Sequence, residues 1–177
     1  NAPIMAVPDK GWHEFCSAFP FQETRDQENA INDIINDFQY GKPIDRLICG
    51  DVGFGKTEIA MRAAFIAVRN FKQVAVVVPT TILSNQHFKS FLMRFKKFGV
   101  KIGQLSRLVS FTDSKRTKES VAKGEIDILV GTHAVLNKSV SFLNLGLVII
   151  DEEQQFGVLD KEKLKKLTKG LHVVSLT

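Results

Sequence analysis

Short apolar runs rich in valine, leucine and isoleucine recur along the whole chain and constrain its fold more than any other feature. They occupy residues 46–49, 73–78, 101–105, 126–130, 147–150 and 172–176. The run at 74–78 reads Val-Ala-Val-Val-Val and lacks the polar alternation of a strand with one face in water. Such uninterrupted runs are typical of parallel strands that helices cover on both faces.

Three segments between these runs have the spacing of amphipathic helices, at 58–69, 82–97 and 160–169. The inward positions are expected to be Phe88, Phe91, Leu92 and Phe95 in the second segment, and Leu164 and Leu167 in the third. Asp160 is a candidate N-cap of the third helix, and Gly170 follows its end. The alternation of strands and helices predicts an α/β fold, a parallel sheet with helices on both faces.

Composition limits the class of protein. The chain has 177 residues and a hydrophobic content of 44%, which is enough for one sizeable core. It has no charge-free apolar run of about 18 residues and no apolar leader, so we expect neither a membrane association nor an export signal. Cys16 and Cys49 are too few for a disulfide framework, and Cys49 is expected to be a buried, reduced thiol. A cytoplasmic location follows as an expectation.

Positive charge is concentrated between residues 89 and 118, where nine Lys or Arg accompany one acid, Asp113. A stretch of this kind indicates either a contact with nucleic-acid phosphates or a solvated helix face. The fourteen phenylalanines offer a similar choice between base-stacking platforms and core packing, and their helical spacing favours the core.

Residues 50–57, Gly-Asp-Val-Gly-Phe-Gly-Lys-Thr, fit the P-loop pattern between a predicted strand and a predicted helix. Glycines such as Gly53 and Gly55 let successive backbone N–H groups point at phosphate oxygens, and the following helix adds its positive end. Lys56 is expected to reach the β- and γ-phosphates and Thr57 to offer its hydroxyl to Mg²⁺. The alternative is an ordinary glycine-rich turn.

A second anchor for magnesium follows the apolar run at 147–150, where Asp151 and Glu152 emerge together. Ligands of open α/β sheets bind at the carboxyl ends of the strands. Asp151 is expected to hold magnesium, and Glu152 to orient and deprotonate the attacking water. Taken alone, an Asp-Glu pair is more often a solvated turn, so this prediction depends on the P-loop.

The identity of the nucleotide is a separate question, since a P-loop binds only phosphates. The Asn-Lys-x-Asp signature for guanine has its nearest match at 137–140, Asn-Lys-Ser-Val, which lacks the carboxylate. The side-chain amide of Gln27 could both donate to and accept from adenine, although a surface glutamine is the simpler interpretation. These observations favour ATP.

The motifs, taken in order, resemble helicase superfamily 2. They are the glutamine motif at Gln27, the P-loop, Pro-Thr-Thr at 79–81, Gly-Thr-His at 131–133, Asp-Glu-Glu-Gln at 151–154 and Ser-Leu-Thr at 175–177. The segments 45–49 and 60–65, with Phe54 in the P-loop, are similar to the family of bacterial transcription-repair coupling factors. RecG-type fork-remodelling helicases are the nearest alternative and typically have serine where Phe54 stands.

This resemblance implies the first RecA-like helicase ATP-binding domain at 19–177, ending at helicase motif III, with a lead-in segment at 1–18. The longer protein would be an ATP hydrolase that tracks along double-stranded DNA, displaces stalled RNA polymerase and helps to recruit excision-repair proteins through its other domains. A second RecA-like domain in the same protein would supply arginines to the γ-phosphate, so the isolated chain is expected to hydrolyse ATP weakly or not at all.

The resemblance also implies roles for individual residues. The nucleotide set is Phe19, Phe21, Gln27, Gly53, Phe54, Gly55, Lys56, Thr57 and Glu58, with Phe19 or Phe21 against the base. The residues facing the DNA backbone would be Thr80, Thr81, Arg107 and Thr132, although Thr132 could be an ordinary loop residue. The residues that couple hydrolysis to DNA would be Gln154, Ser175 and Thr177. Gln155 departs from the family pattern, which has arginine there.

Two other classes remain as alternatives. A small-molecule kinase would share the P-loop but would need neither the threonine motifs nor the basic stretch. A nucleotide-sensing interaction module without turnover would not need Glu152, the candidate water-activating carboxylate.

Overall fold

The computed structural model describes residues 2–49 and 54–177, with Phe54 described by its backbone alone. Its strands are β1 Asp45–Ile48, β2 Gln73–Val77, β3 Ile102–Leu105, β4 Ile128–Gly131, β5 Leu145–Asp151 and β6 His172–Leu176. Its α-helices are α1 Trp12–Ser17, α2 Arg25–Phe38, α3 Phe54–Arg69, α4 Thr81–Phe95, α5 Phe111–Ala122 and α6 Val158–Thr168. Short 3-10 helices span His133–Leu136 and Glu153–Gln155.

The strands form one parallel sheet in the order β1-β6-β5-β2-β4-β3. Both faces are covered, and side chains that alternate along a strand enter different cores. Val74 and Val76 pack in the core formed with α1 to α4, whereas Ala75 and Val77 pack in the core that includes α5 and α6. The predicted fold class is therefore confirmed.

Most phenylalanines pack in the hydrophobic core, as their spacing predicted. Phe15, Phe38, Phe65, Phe91 and Phe95 are almost completely buried. The exception on α4 is Leu92, which was expected to face inward but is 42% exposed. The apolar face of α4 is narrower than predicted because one side of the helix borders solvent.

Cys49 is exposed, so the expectation of a buried thiol was wrong. β1 lies at one end of the sheet, and Cys49 follows its last residue. Leu47 in the same strand is 58% exposed for the same reason. An apolar run does not reveal whether its strand is central or at the edge.

The third predicted helix begins earlier than expected. Gly157 is the N-cap of α6, so Asp160 lies inside the first turn and is not the cap. Leu164 is buried and Leu167 partly buried, as predicted. Gly170 has the positive φ, 75°, that suits a residue just beyond a helix end.

The predicted lead-in segment packs against the rest of the chain. The Met5 N–H donates to the Phe38 carbonyl at 2.9 Å, and the Phe15 ring stacks on Phe65 with centroids 4.2 Å apart. The boundary between residues 18 and 19 remains a prediction. None of the described helices is both long enough and apolar enough to cross a membrane.

Candidate functional site

The predicted motifs meet along one edge of the sheet, where the strands have their carboxyl ends. Leu176 at the end of β6 is in register with Ile48 on one side and Asp151 on the other. The loops after β1, β6 and β5 are therefore neighbours, and those after β2, β4 and β3 continue the same edge. The nucleotide motifs occupy the first half of this edge, and the motifs expected to face DNA occupy the second.

Lys56 extends from α3 to the end of β6, where its ammonium group donates to the Thr177 carbonyl. The Thr177 N–H in turn donates to the Ile48 carbonyl at 3.2 Å, which ties this segment to β1. Glu152 lies beside it, since its N–H donates to the Leu176 carbonyl at 3.2 Å. Lys56 and the carboxylate pair after β5 thus converge on the end of β6.

The first part of the P-loop lies outside the described residues. This holds for residues 50–53, including Gly53, and for the side chain of Phe54. Gly55, Lys56 and Thr57 are described in the first turn of α3, and all three are partly buried.

Gln27 lies against the start of α3. It closes a capping box at the N-terminus of α2, where its Oε1 accepts from the Thr24 N–H at 2.8 Å. Its Nε2 lies so close to Gly55 that a Cβ at Gly55 would collide with it. A side chain at this position would displace the Gln27 amide, which the sequence analysis expects to contact adenine and which borders the P-loop helix.

The two aromatic residues expected near the base form a pair. Phe19 and Phe21 contact edge to face with ring centroids 5.5 Å apart, and Phe21 is 52% exposed. The Arg62 guanidinium of α3 lies 5.6 Å from the Phe19 ring centroid. The segment before α2 is thereby held beside α3, and base stacking by these rings remains a prediction.

Glu152 has a left-handed backbone conformation, with φ of 52°, which is uncommon for a residue with a side chain. Such strain occurs most often at functional sites. Its carboxylate accepts a hydrogen bond from the Gln154 amide. Ser175 is buried in β6 and Thr177 is exposed, and the coupling of Gln154 to these two residues remains a prediction.

Asp151 has a partner that the sequence analysis missed, since His87 Nε2 lies 2.7 Å from Asp151 Oδ2. His87 is on α4 and is 8% exposed. Its position four residues before Phe91, on the same helix face, is the signal that could have pointed to an inward-facing polar group. Nothing in the sequence indicates which carboxylate it contacts.

The residues present are compatible with magnesium. No group of three His, Cys, Asp or Glu side chains in the described ranges could enclose a metal ion by itself. Mg²⁺ does not need one, because it is usually bound through one or two carboxylates, phosphate oxygens and retained waters. Asp151 and the Thr57 hydroxyl would supply the protein ligands of such a site.

Glu58, which was predicted to belong to the nucleotide set, has its carboxylate in a cluster of ion pairs. It is 4% exposed, and its oxygens accept from Arg62 Nε at 2.8 Å and from Arg94 Nε and Nη2 at 2.7 Å each. The Arg94 guanidinium also lies 3.8 Å from the Phe15 ring centroid, and Arg62 pairs with Glu23 at 2.5 Å. We call Glu23, Glu58, Arg62 and Arg94 the buried ion-pair network. A contact of Glu58 with nucleotide remains a prediction.

Arg62 keeps its charge despite burial. Desolvation lowers the pKa of Arg62, but hydrogen bonds to Glu58 and Glu23 more than compensate, so the pKa is raised above its ordinary value. The network joins α1, the segment before α2, α3 and α4. It therefore fixes the helix that carries Lys56 relative to the segment that leads into α2 and Gln27.

The residues expected to face DNA differ in accessibility. Thr80 is the exposed N-cap of α4, Thr81 is the first residue of that helix, and Arg107 is exposed after β3. Thr132 is only 4% exposed, and its hydroxyl accepts from the Ala134 N–H at 3.4 Å. Its side chain caps a 3-10 helix. This structural role agrees with the alternative that Thr132 is an ordinary loop residue.

The basic stretch at 89–118 does not form one surface. Arg94 belongs to the buried ion-pair network. Lys96, Lys97 and Lys101 are exposed near the start of β3, where the strands have their amino ends, opposite the edge with the predicted motifs. Arg107 follows the end of β3, and Arg116 lies on α5.

The sheet is parallel and has helices on both faces. Lys56 lies in the first turn of the helix after β1, and the Asp-Glu pair follows β5, two strands away in the sheet. These features define a RecA-like domain of the P-loop NTPase class. Residues 24–177 match the family described as DEAD/DEAH box helicase, and the chain belongs to that family.

The chain is also similar to transcription-repair-coupling factors. It is 52% identical to that of Haemophilus influenzae over 166 residues and 50% identical to that of Escherichia coli over 163 residues. The matches cover 94% and 92% of this chain but only 14% of each relative. Among solved structures, RecG bound to a three-way DNA junction matches with a TM-score of 0.85 and 34% identity, over 99% of this chain and 24% of that one.

Proposed function

We propose that this domain is the ATP-binding half of a DNA-translocating ATPase motor in a longer protein that displaces stalled RNA polymerase and couples transcription to nucleotide excision repair. The observation that carries the proposal is the division of one sheet edge. Lys56, Asp151 and Glu152 lie at the half formed by β1, β6 and β5, and Thr80 and Arg107 lie at the other half. A motor needs a phosphate site and a DNA-facing surface on one rigid body.

In this proposal Lys56 holds the β- and γ-phosphates, and Thr57 and Asp151 hold magnesium, which neutralises phosphate charge when bound. Glu152 orients the attacking water and takes its proton. Gln27 reads adenine beside Phe19 or Phe21, and the backbone of Gly53, Phe54 and Gly55 cradles the phosphates.

Other parts of the longer protein complete the activity. A second RecA-like domain supplies arginines to the γ-phosphate, a contribution worth about 10³- to 10⁵-fold in rate. This chain alone therefore binds ATP better than it hydrolyses it. Contacts with RNA polymerase and excision-repair proteins belong to regions outside this chain, and a protein with these partners acts in the cytoplasm.

A RecG-type fork-remodelling motor is the second candidate, favoured by the structural match over 99% of the chain. The higher identity to the coupling factors, 52% against 34%, favours the first. Release of a stalled RNA polymerase by the intact protein supports the first candidate, and regression of a model replication fork without polymerase release supports the second.

The experiment that tests the motor function is ATP hydrolysis by the intact protein with and without double-stranded DNA. We expect duplex DNA to stimulate hydrolysis. An ATP hydrolysis rate that does not change with DNA would favour a small-molecule kinase, and nucleotide binding without turnover would favour a sensing module.

A further inference from the structure

We propose that His87 is a positioning residue for Asp151, holding one carboxylate oxygen so that the other is presented to magnesium. The inference rests on the proposed magnesium–nucleotide site and adds a residue from α4 to it. His87 lies outside the P-loop and the Asp-Glu pair.

The contact between the two side chains has a fixed polarity. An ionised carboxylate only accepts hydrogen bonds, so the proton between His87 Nε2 and Asp151 Oδ2 belongs to the imidazole. This assignment holds for the neutral and the charged ring alike, since both forms can carry a proton on Nε2. The histidine is therefore a donor to Asp151 and does not compete with it for a metal ion.

The imidazole is held in place from several sides. His87 and Asp151 have side chains that are 10% and 13% exposed, so little water reaches the contact. The ring also packs against Phe91, edge to face, with centroids 6.4 Å apart. The helix is fixed at Ser84, whose hydroxyl accepts from Gln104 of β3 at 3.1 Å. A donor on such a support has few other orientations.

Asp151 needs such a support because it is the last residue of β5, next to the strained backbone of Glu152. A carboxylate at the end of a strand rotates about its side-chain bonds unless a neighbour holds it. Residues that hold a metal ligand in this way commonly contribute about 10- to 100-fold in metal affinity. We expect a contribution in this range from His87.

The test measures magnesium binding in the intact protein rather than turnover. ADP affinity is determined by titration calorimetry at graded Mg²⁺ concentrations and without metal, for the wild type, His87→Phe and His87→Gln. Phenylalanine keeps a ring but removes the donor, whereas the glutamine amide places a donor near the position of Nε2. A third variant, His87→Asn, carries an amide that falls short of Asp151 and serves if His87→Phe does not fold.

We expect His87→Phe or His87→Asn to raise, by about tenfold or more, the Mg²⁺ concentration at which half of the metal-dependent gain in ADP affinity is reached. The ADP affinity without metal should be unchanged. His87→Gln should remain close to the wild type. The inference is overturned if the variants without a donor in reach of Asp151 respond to Mg²⁺ like the wild type. It is also overturned if these variants lose as much ADP affinity without metal as with it, as a purely structural role requires. If the ADP affinity of the wild type did not depend on Mg²⁺, the proposed nucleotide site would be overturned as well.

Discussion

Lys56 has a neutral partner, the Thr177 carbonyl, and a phosphate would be a stronger one because both groups are charged. Lys56→Ala is therefore expected to weaken ATP binding by the intact protein about 10- to 100-fold, the effect of losing a charged hydrogen bond. Titration calorimetry measures the change. Lys163→Ala, which removes an exposed lysine of α6, is the matched control. Equal ATP affinity in Lys56→Ala and the control would contradict the assignment.

The site residues could be predicted from sequence where a pattern fixes their place. Lys56 and Asp151 follow predicted strands, and parallel strands bring their carboxyl ends together. His87 and Arg94 could not be predicted, since each is defined by a partner distant in sequence, Asp151 and Glu58 respectively. Pairwise contacts across the sheet or between helices have no local signature.

At the scale of elements, the buried ion-pair network ties α4 to α3. Arg94→Met is expected to lower the free energy of unfolding by about 3–5 kcal/mol, because it leaves the Glu58 carboxylate buried with fewer partners. Urea unfolding of the chain measures the loss. The control is Arg116→Met, which removes an exposed pair with Asp113 at 3.8 Å and should cost about 0–1 kcal/mol. Similar losses in both variants would show that the network does not stabilise the helices.

His172 joins β6 to the segment before α1 and should make stability depend on pH. It is buried, its Nε2 donates to the Pro3 carbonyl at 2.6 Å, and burial lowers its pKa below the ordinary value of 6.5. The unfolded chain then takes up a proton more readily than the folded chain. The contribution of His172 to stability is complete above about pH 6.5 and is lost as the pH falls through its folded pKa.

The measurement compares urea unfolding of the wild type and His172→Gln between pH 7.5 and pH 5. The glutamine amide can still donate to the Pro3 carbonyl but does not titrate. We expect the wild type to lose more stability on acidification than the variant. Parallel pH profiles would mean that His172 is not the titrating group.

The strands were easier to predict than the helices. β6 coincides with the predicted 172–176, and the other strands differ from the predictions at their ends. α5 was not predicted because its sequence is polar and Val121 is its buried residue, so no apolar stripe marks it. α1 was missed because six residues are too few for a periodic pattern.

At the scale of the whole molecule, the position of Arg107 predicts contact with the DNA backbone. We expect the intact protein to bind two unrelated duplexes with similar affinity that falls as salt rises, since phosphate contacts release counterions and carry little base information. Arg107→Ala should reduce the slope of log affinity against log salt by about one. Lys101→Ala, at the opposite edge of the sheet, should leave the slope unchanged. An unchanged slope in Arg107→Ala would remove Arg107 from the contact surface.

Hydrolysis at this sheet edge is expected to drive movement along DNA. The most direct measurement is displacement of a triplex-forming strand from duplex DNA by the intact protein, in the wild type, Glu152→Gln and the neighbouring control Glu153→Gln. We expect ATP-dependent displacement by the wild type and the control. Glu152→Gln should bind ATP and DNA but lower displacement at least about 100-fold, because the group that activates water is lost. Displacement at the wild-type rate by Glu152→Gln, or no displacement by the wild type with ATP, would show that hydrolysis at this edge does not drive movement.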